Sequence, residues 1–233
     1  MQTTLDQKIH VGILMDGNGR WGVRHGIGRS AGHRAGVDAI RRVVEAAIRQ
    51  GVGTLTLYGF SSDNWGRPEA EVAAIMALIR HYVGSEADRL AAAGVRLTVI
   101  GRRDRLPDGL AAAIGAAEAT TAACDRLHLR IAVDYSGREA ILAAARRSGS
   151  DCSREEFSAL VMGDRNLPVV DLIIRAGGEK RLSDFLLWES AYAELYFTDR
   201  LWPDFEAEDL GVALSDFRSR HRRFGLVPDQ AAA

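Results

Sequence analysis

The sequence predicts an α/β fold: a central, mostly parallel six-stranded sheet flanked by helices. Three observations carry this. Short apolar runs alternate with longer amphipathic ones along the chain, the pattern of strand–helix units. Several short runs are rich in Val, Ile and Leu, as strands covered on both faces are. Glycine and proline stand at the ends of longer runs, where helices stop and start.

HVGILM, His10 to Met15, reads as the first strand. After the glycine-rich segment that follows, a helix starts past Gly32 and stops at Gly51, a C′ glycine. TLTLYGF, Thr54 to Phe60, is the second strand, and Pro68 is a first-turn proline for the helix PEAEVAAIMALIRHYV. VRLTVIG, Val95 to Gly101, is the third strand; Asp108 caps a helix running through Cys124. LHLRIAVDY, Leu127 to Tyr135, is the fourth strand. A helix from Gly137 to Arg147, the loop RSGSD and a short helix capped by Ser153 follow it. VVDLIIR, Val169 to Arg175, and AELYF, Ala193 to Phe197, are strands five and six, and Glu206 to Arg223 is the last helix.

A chain of 233 residues fits one domain, residues 1–233, with 1–9 and 226–233 flexible. Its net charge of −1, from 30 basic and 31 acidic residues, argues against a nucleic-acid-coating protein, so any anion site is a local cluster. Cys124 and Cys152 match no zinc or redox spacing, which points to a reducing compartment. MQTTLDQKIH lacks a signal-peptide profile, and no apolar run approaches the roughly 20 residues of a membrane span. The expectation is a cytoplasmic protein.

In open parallel sheets, ligands sit beyond the carboxyl ends of strands, and three motifs fall there. The first is MDGNGRWGVRHGIGRSAGHRAG, Met15 to Gly36. Gly17 and Gly19 can present backbone N–H groups to an anion, and Arg20 and Arg29 add donors suited to phosphate. Asp16 at its head can be an ion-pair partner, or it can hold Mg²⁺, which takes one or two carboxylates plus phosphate oxygens. DGNGR can equally be a simple turn, and His33 a helix-start residue. The second is YGFSSDNWGRPEAEV, Tyr58 to Val72. It reads either as a capped helix start or as a wall for a ligand apolar at one end and anionic at the other. The third, IIRAGGEKRLSDFLLWESAYAELYF, puts Arg175, Arg181 and Ser183 around a glycine turn, a second diphosphate clamp. Glu194 lies in an apolar-aromatic stretch and needs a metal or an arginine partner. Two anion pockets with aromatic lining suggest chemistry between two phosphorylated, greasy molecules.

Together HVGILMDGNGRW, GHRAG, LYGFSSDNWGRPEAEV, DLIIRAGGEKRLSDFLLWESAYAELYFTDRLWPDF and RRFG resemble the cis-prenyltransferase (undecaprenyl diphosphate synthase-like) family, from about His10 to Gly225. The resemblance implies a homodimer with an apolar tunnel between sheet and helices. It implies a Mg²⁺-dependent condensation of isopentenyl diphosphate with an allylic diphosphate (dimethylallyl, geranyl or farnesyl), giving a Z (cis) prenyl diphosphate. By the same resemblance Asp16 and Glu194 hold the metal, and Asp16 and Asn64 serve catalysis. Gly17, Asn18, Gly19, Arg20 and Arg29 hold the allylic diphosphate, with His33 and Arg67 nearby. Arg175, Arg181 and Ser183 hold the isopentenyl diphosphate, and Arg223 and Gly225 reach the partner subunit's site. Trp21, Phe60, Ser61, Asn64, Trp65 and Glu71 line or order the region around both substrates. Membrane contact is at most transient, for product release.

The chain departs from the family pattern at DYSGR, Asp134 to Arg138, where Asn-Tyr-Gly-Gly-Arg is frequent, and at Asp63, Ala176, Lys180 and Asp184. None of these removes a diphosphate ligand. Asp134 is expected to act on the tunnel or on substrate docking. The alternatives within the resemblance are a head-to-middle (lavandulyl or cyclolavandulyl-type) condensation of two dimethylallyl diphosphates, and a non-catalytic partner subunit. The latter sits poorly with the retained Asp16.

Overall fold

The computed structural model describes residues 8–220. The six strands are β1 (His10–Leu14), β2 (Thr54–Ser61), β3 (Val95–Ile100), β4 (Leu127–Tyr135), β5 (Leu172–Arg175) and β6 (Glu194–Phe197). They form one sheet in the order β3-β4-β2-β1-β5-β6. Every neighbouring pair is parallel, so the sheet goes beyond the mostly parallel expectation. The helices are α1 (Asn18–Arg24), α2 (Arg29–Arg49), α3 (Glu69–Ala92), α4 (Leu110–Thr121), α5 (Gly137–Arg147), α6 (Arg154–Met162) and α7 (Ala207–Ser219).

One face of the sheet, with Val11, Ile13, Leu55 and Leu57, packs on α2, α3, α4 and α7. On α2 the buried side is Ala39, Ile40, Val43, Val44, Ala46 and Ala47, the stripe a 3.6-residue period gives. Each large aliphatic side chain taken fully from water there contributes about 1.5–3 kcal/mol. The other face carries Leu14, Ala132 and Ile173 against Tyr135, Phe185 and Leu186. At its foot the buried His10 ring contacts Thr56 Oγ1 at 2.8 Å and the Pro168 carbonyl at 2.9 Å. Burial is the main cause that pushes this imidazole down to about 3.

Strand order fixes where a ligand can sit. The chain leaves β1 toward β2 on one side, then crosses from β4 to β5 on the other. β1 and β5 therefore flank the switch point, and a crevice opens beyond their carboxyl ends.

Several boundaries differ from expectation. The segment after β1 contains α1, and α2 begins at Arg29 rather than past Gly32. The glycines explain both. Gly17, at φ +106°, is the left-handed N-cap of α1. A Cβ on Gly32 would lie 1.9 Å from the Asn18 carbonyl oxygen, so α1 and α2 touch backbone to backbone. α3 continues past Val83 to Ala92. α4 is preceded by Gly109, not capped by Asp108, and ends at Thr121. The expected extension of the last helix to Arg223 lies outside the described residues, as do residues 1–7 and the tail. The expected apolar tunnel is not shown; the layer between sheet and helices holds packed Phe60, Ile75, Met76 and Val99.

Candidate active site

A cavity of about 410 Å³ lies beyond the ends of β1, β2 and β5. Its wall brings together Asp16, Gly17, Asn18, Gly19, Arg20, Arg29, His33, Phe60, Ser61, Asn64, Arg67, Arg175, Arg181 and Ser183. These come from all three motifs. Five arginines line it against the carboxylates of Asp16 and Asp63. Counting Glu71 behind the wall still leaves an excess of positive charge, so the cavity favours an anion.

Asp16 follows β1 directly. Its carboxylate accepts from Arg20 at 3.1 Å and from Arg175 at 3.0 Å. Half-burial pushes this carboxyl up, but Arg175 and Arg20 outweigh that and hold it below the ordinary value. Arg175 closes β5, buried, and donates to Ser183 Oγ at 2.8 Å and to the Arg181 carbonyl. A Cβ on Gly177 would sit 2.7 Å from Arg20 Nη2. That bare glycine lets the turn after β5 lie against the segment after β1. Ser183 has φ +49°, a strained conformation for a non-glycine residue, and its carbonyl accepts from Tyr58 Oη.

A second carboxylate organises the other side. Glu71, near the start of α3, accepts from Arg29 at 2.8 and 3.1 Å, from Arg67 at 3.1 Å and from His33 at 3.3 Å. Arg29 is the main cause of its pKa falling to about 2. Burial holds the His33 imidazole below its ordinary value, against the pull of Glu71; it donates as a neutral ring. Glu71 therefore stands behind the wall and aims three groups into the cavity.

The turn after β2 realises its capping alternative while also forming cavity wall. Ser61 Oγ caps the 3₁₀ turn Ser62–Gly66, and Asn64 Oδ1 accepts the Ser61 N–H at 3.1 Å. Two aromatic residues are not in the wall. Trp21 stacks on His25 and donates to Asp204 at 2.6 Å. Trp65 packs edge-on against Phe60 and donates to Asp134 at 3.0 Å. Asp134 does not line the cavity either.

Glu194 stands apart from Asp16 within this protomer. It opens β6 at the foot of the sheet, level with Leu172, while Arg175 pairs with Phe197 at the cavity end. Its partner is Arg220, at 2.8 Å, the arginine-partner alternative of the sequence. It does not share a metal site with Asp16 within this chain. Among the described residues no group of three or more His, Cys, Asp and Glu side chains is placed to hold a metal. One carboxylate still fits a cation that arrives with phosphate oxygens, as Mg²⁺ does. Arg223 and Gly225 lie outside the described residues.

Reading the sequence did not name Leu14, Met15, Tyr58, Gly59, Asp63 and Ile75 as cavity wall. Alternation along β2 was a usable signal for Tyr58: Leu55 and Leu57 face the helices, so Thr56 and Tyr58 face the other way. Nothing local marked Ile75.

The chain matches the family described as "Putative undecaprenyl diphosphate synthase" over residues 14–225. It is 63% identical to isoprenyl transferase 1 of Bradyrhizobium diazoefficiens, covering 98% of this chain and 95% of that one. It is 46% identical to a ditrans,polycis-undecaprenyl-diphosphate synthase ((2E,6E)-farnesyl-diphosphate specific) of Pseudomonas aeruginosa, over 96% and 93%. Among solved structures, lavandulyl diphosphate synthase from Lavandula x intermedia in complex with dimethylallyl diphosphate superposes with a TM-score of 0.89 at 34% identity, covering 93% of this chain and 97% of that one. A probable undecaprenyl diphosphate synthase from Campylobacter jejuni superposes with a TM-score of 0.80 at 30% identity, over 95% and 100%.

Proposed function

We propose, from the premise that the chain belongs to the undecaprenyl diphosphate synthase (cis-prenyltransferase) family and is a prenyl transferase, that it condenses isopentenyl diphosphate with an allylic diphosphate to a Z-prenyl diphosphate. The observation that carries this reading is the meeting of Asp16 with Arg20 and Arg175 in one cationic cavity. Residues from three separate motifs converge there, and Asp16 meets Arg175 across 159 positions.

The roles divide by side. Gly17, Asn18, Gly19, Arg20 and Arg29 receive the allylic diphosphate, with His33 and Arg67 held to the same side by Glu71. Arg175, Arg181 and Ser183 receive the isopentenyl diphosphate. Asp16, between the two, is the residue that would hold Mg²⁺ arriving with the substrates' phosphate oxygens. When bound, the metal neutralises charge on the departing diphosphate. The guanidinium groups stabilise the same charge from fixed positions, and holding both substrates in one cavity supplies much of the acceleration. The amide of Asn64 is no base; its part is to orient the substrate beside Ser61. The allylic C–O bond breaks as diphosphate departs, and the isopentenyl double bond supplies the electrons of the new C–C bond. The proton lost from the isopentenyl unit passes to a diphosphate oxygen as the new double bond forms.

A homodimer is part of the proposal. β6 is an edge strand, with Leu195 37% and nearby Tyr192 70% exposed; exposed apolar edges favour a partner. Both described cysteines are free thiols, and no helix among the described residues is long and apolar enough to cross a membrane. Both suit the proposed cytoplasmic setting.

The test is mass spectrometry of products from isopentenyl diphosphate with dimethylallyl, geranyl or farnesyl primers and Mg²⁺. The expected result is a longer prenyl diphosphate only when both substrates are present. The likeness to lavandulyl diphosphate synthase motivates a second reading, head-to-middle joining. A C10 product from dimethylallyl diphosphate alone would select it over the first.

A further inference from the structure

Asp134 is buried at the carboxyl end of β4, with φ +50°. It occupies an irregularity in the pairing of β2 with β4: Phe60 pairs with Val133 and Ser61 with Tyr135, so Asp134 is passed over. Bulges of this kind re-aim a side chain, and they cluster beside active sites. The Asp134 carboxylate is turned beneath the 3₁₀ turn after β2. Its Oδ1 accepts from Ser62 Oγ at 3.1 Å and Trp65 Nε1 at 3.0 Å, and Arg105 closes on both oxygens. The Arg105 guanidinium also lies 5.7 Å from the Trp65 ring centroid, within cation–π range. Asp63 and Asn64 within the same turn, and Ser61 and Arg67 on either side of it, line the cavity.

We propose that Asp134, with Arg105 as its counter-ion, is a positioning residue: it latches the Ser62–Gly66 turn to the sheet and so sets where Asn64 and Arg67 stand over the substrates. The arrangement has the form of a latch rather than a packing contact. Three donors from two segments meet one carboxylate, and the backbone bears a left-handed non-glycine residue to bring it there. Neither Asp134 nor Trp65 touches the cavity, so each can be changed without removing a ligand-facing group. This inference rests on the proposed condensation for its kinetic arm only.

Three variants test it. Asp134→Ala removes the carboxylate and lets the turn move. Hydrogen exchange should rise over residues 61–67 and stay unchanged in β1 and β5. The kcat for condensation should fall about tenfold or more, as a displaced positioning group predicts, with the KM for isopentenyl diphosphate near the wild-type value. Asp134→Asn keeps an acceptor for Ser62 and Trp65 and tolerates the left-handed backbone, so it should restore most of the kcat. Trp65→Phe keeps the ring against Phe60 and deletes one bond of the latch. It should raise exchange in the turn at an unchanged melting temperature, and it carries the test if Asp134→Ala does not fold. Unchanged exchange over 61–67 in the folded variants, or an Asn variant as impaired as the Ala one, overturns the latch. Absence of turnover in the wild-type protein would overturn the proposed reaction instead, leaving the exchange result to judge the latch.

Discussion

Asp16 and Glu71 are both carboxylates ringed by cations, and they sit in very different ways. Glu71 has a side chain 9% exposed and is bonded to Arg29, His33 and Arg67 together. Asp16 is 33% exposed, bonded to two arginines and open to the cavity. The first is a fixed anchor whose remaining valences are taken. In the proposed reaction the second exchanges a guanidinium for an incoming cation, since Arg20 and Arg175 are there assigned to the diphosphates. A carboxylate among arginines is thus a scaffold when closed off and a reactive centre when it faces open space.

The largest effect should separate the two. Asp16→Ala should lower turnover about 10³-fold or more, the scale of losing a charge-stabilising group, with circular dichroism unchanged; wild-type turnover would end the distinction. Next, Arg181→Ala should raise the KM for isopentenyl diphosphate about 10- to 100-fold, the worth of a charge-assisted bond of roughly 1.5–3 kcal/mol. The allylic KM should stay put, and an equal rise in both would mean the two pockets are misassigned.

Glu71→Gln should act more mildly, raising the allylic KM by about tenfold, the order of one weakened ion-pair network. It also carries a pH signature. Glu71's folded value of about 2 lies below its ordinary 4.5. Its contribution to stability is complete above pH 4.5 and is lost as pH falls toward 2. The Gln variant should therefore show a flatter acid limb in a melting-temperature titration. Smallest of all, Glu194→Gln should leave the metal dependence of turnover unchanged. It should cost at most about 1 kcal/mol of stability, as partly exposed ion pairs do. A large shift in metal requirement would show that Glu194 reaches a metal after all, by way of a second subunit.

The sequence made the strands and the cavity legible because both rest on signals that are local. Short runs rich in Val, Ile or Leu mark β1 to β5, and arginines beside glycines mark the anion site. α1 was missed since Gly17, Gly19 and Gly22 so close together look like loop rather than helix, when Gly22 of α1 and Gly32 of α2 let the two helices touch backbone to backbone. Asp134 was expected at the tunnel or the substrate; the structure shows it beneath the turn after β2, paired with Arg105, which stands 29 residues away with no periodicity to link them. Glu194 was assigned to the metal by resemblance; register along β6 puts it at the opposite end of the sheet. What a side chain faces across strands is a tertiary fact, and single-segment patterns do not carry it.

The contact between Asp16 and Arg175 joins positions 159 apart. A chain emerging from the ribosome has its opening strand, its glycines and most of its cations long before that partner is made. Contacts so distant in sequence close late and slowly. Competence should therefore arrive in a single step near the end of synthesis, and a truncated chain ending before β5 should be inert however well its first half has collapsed.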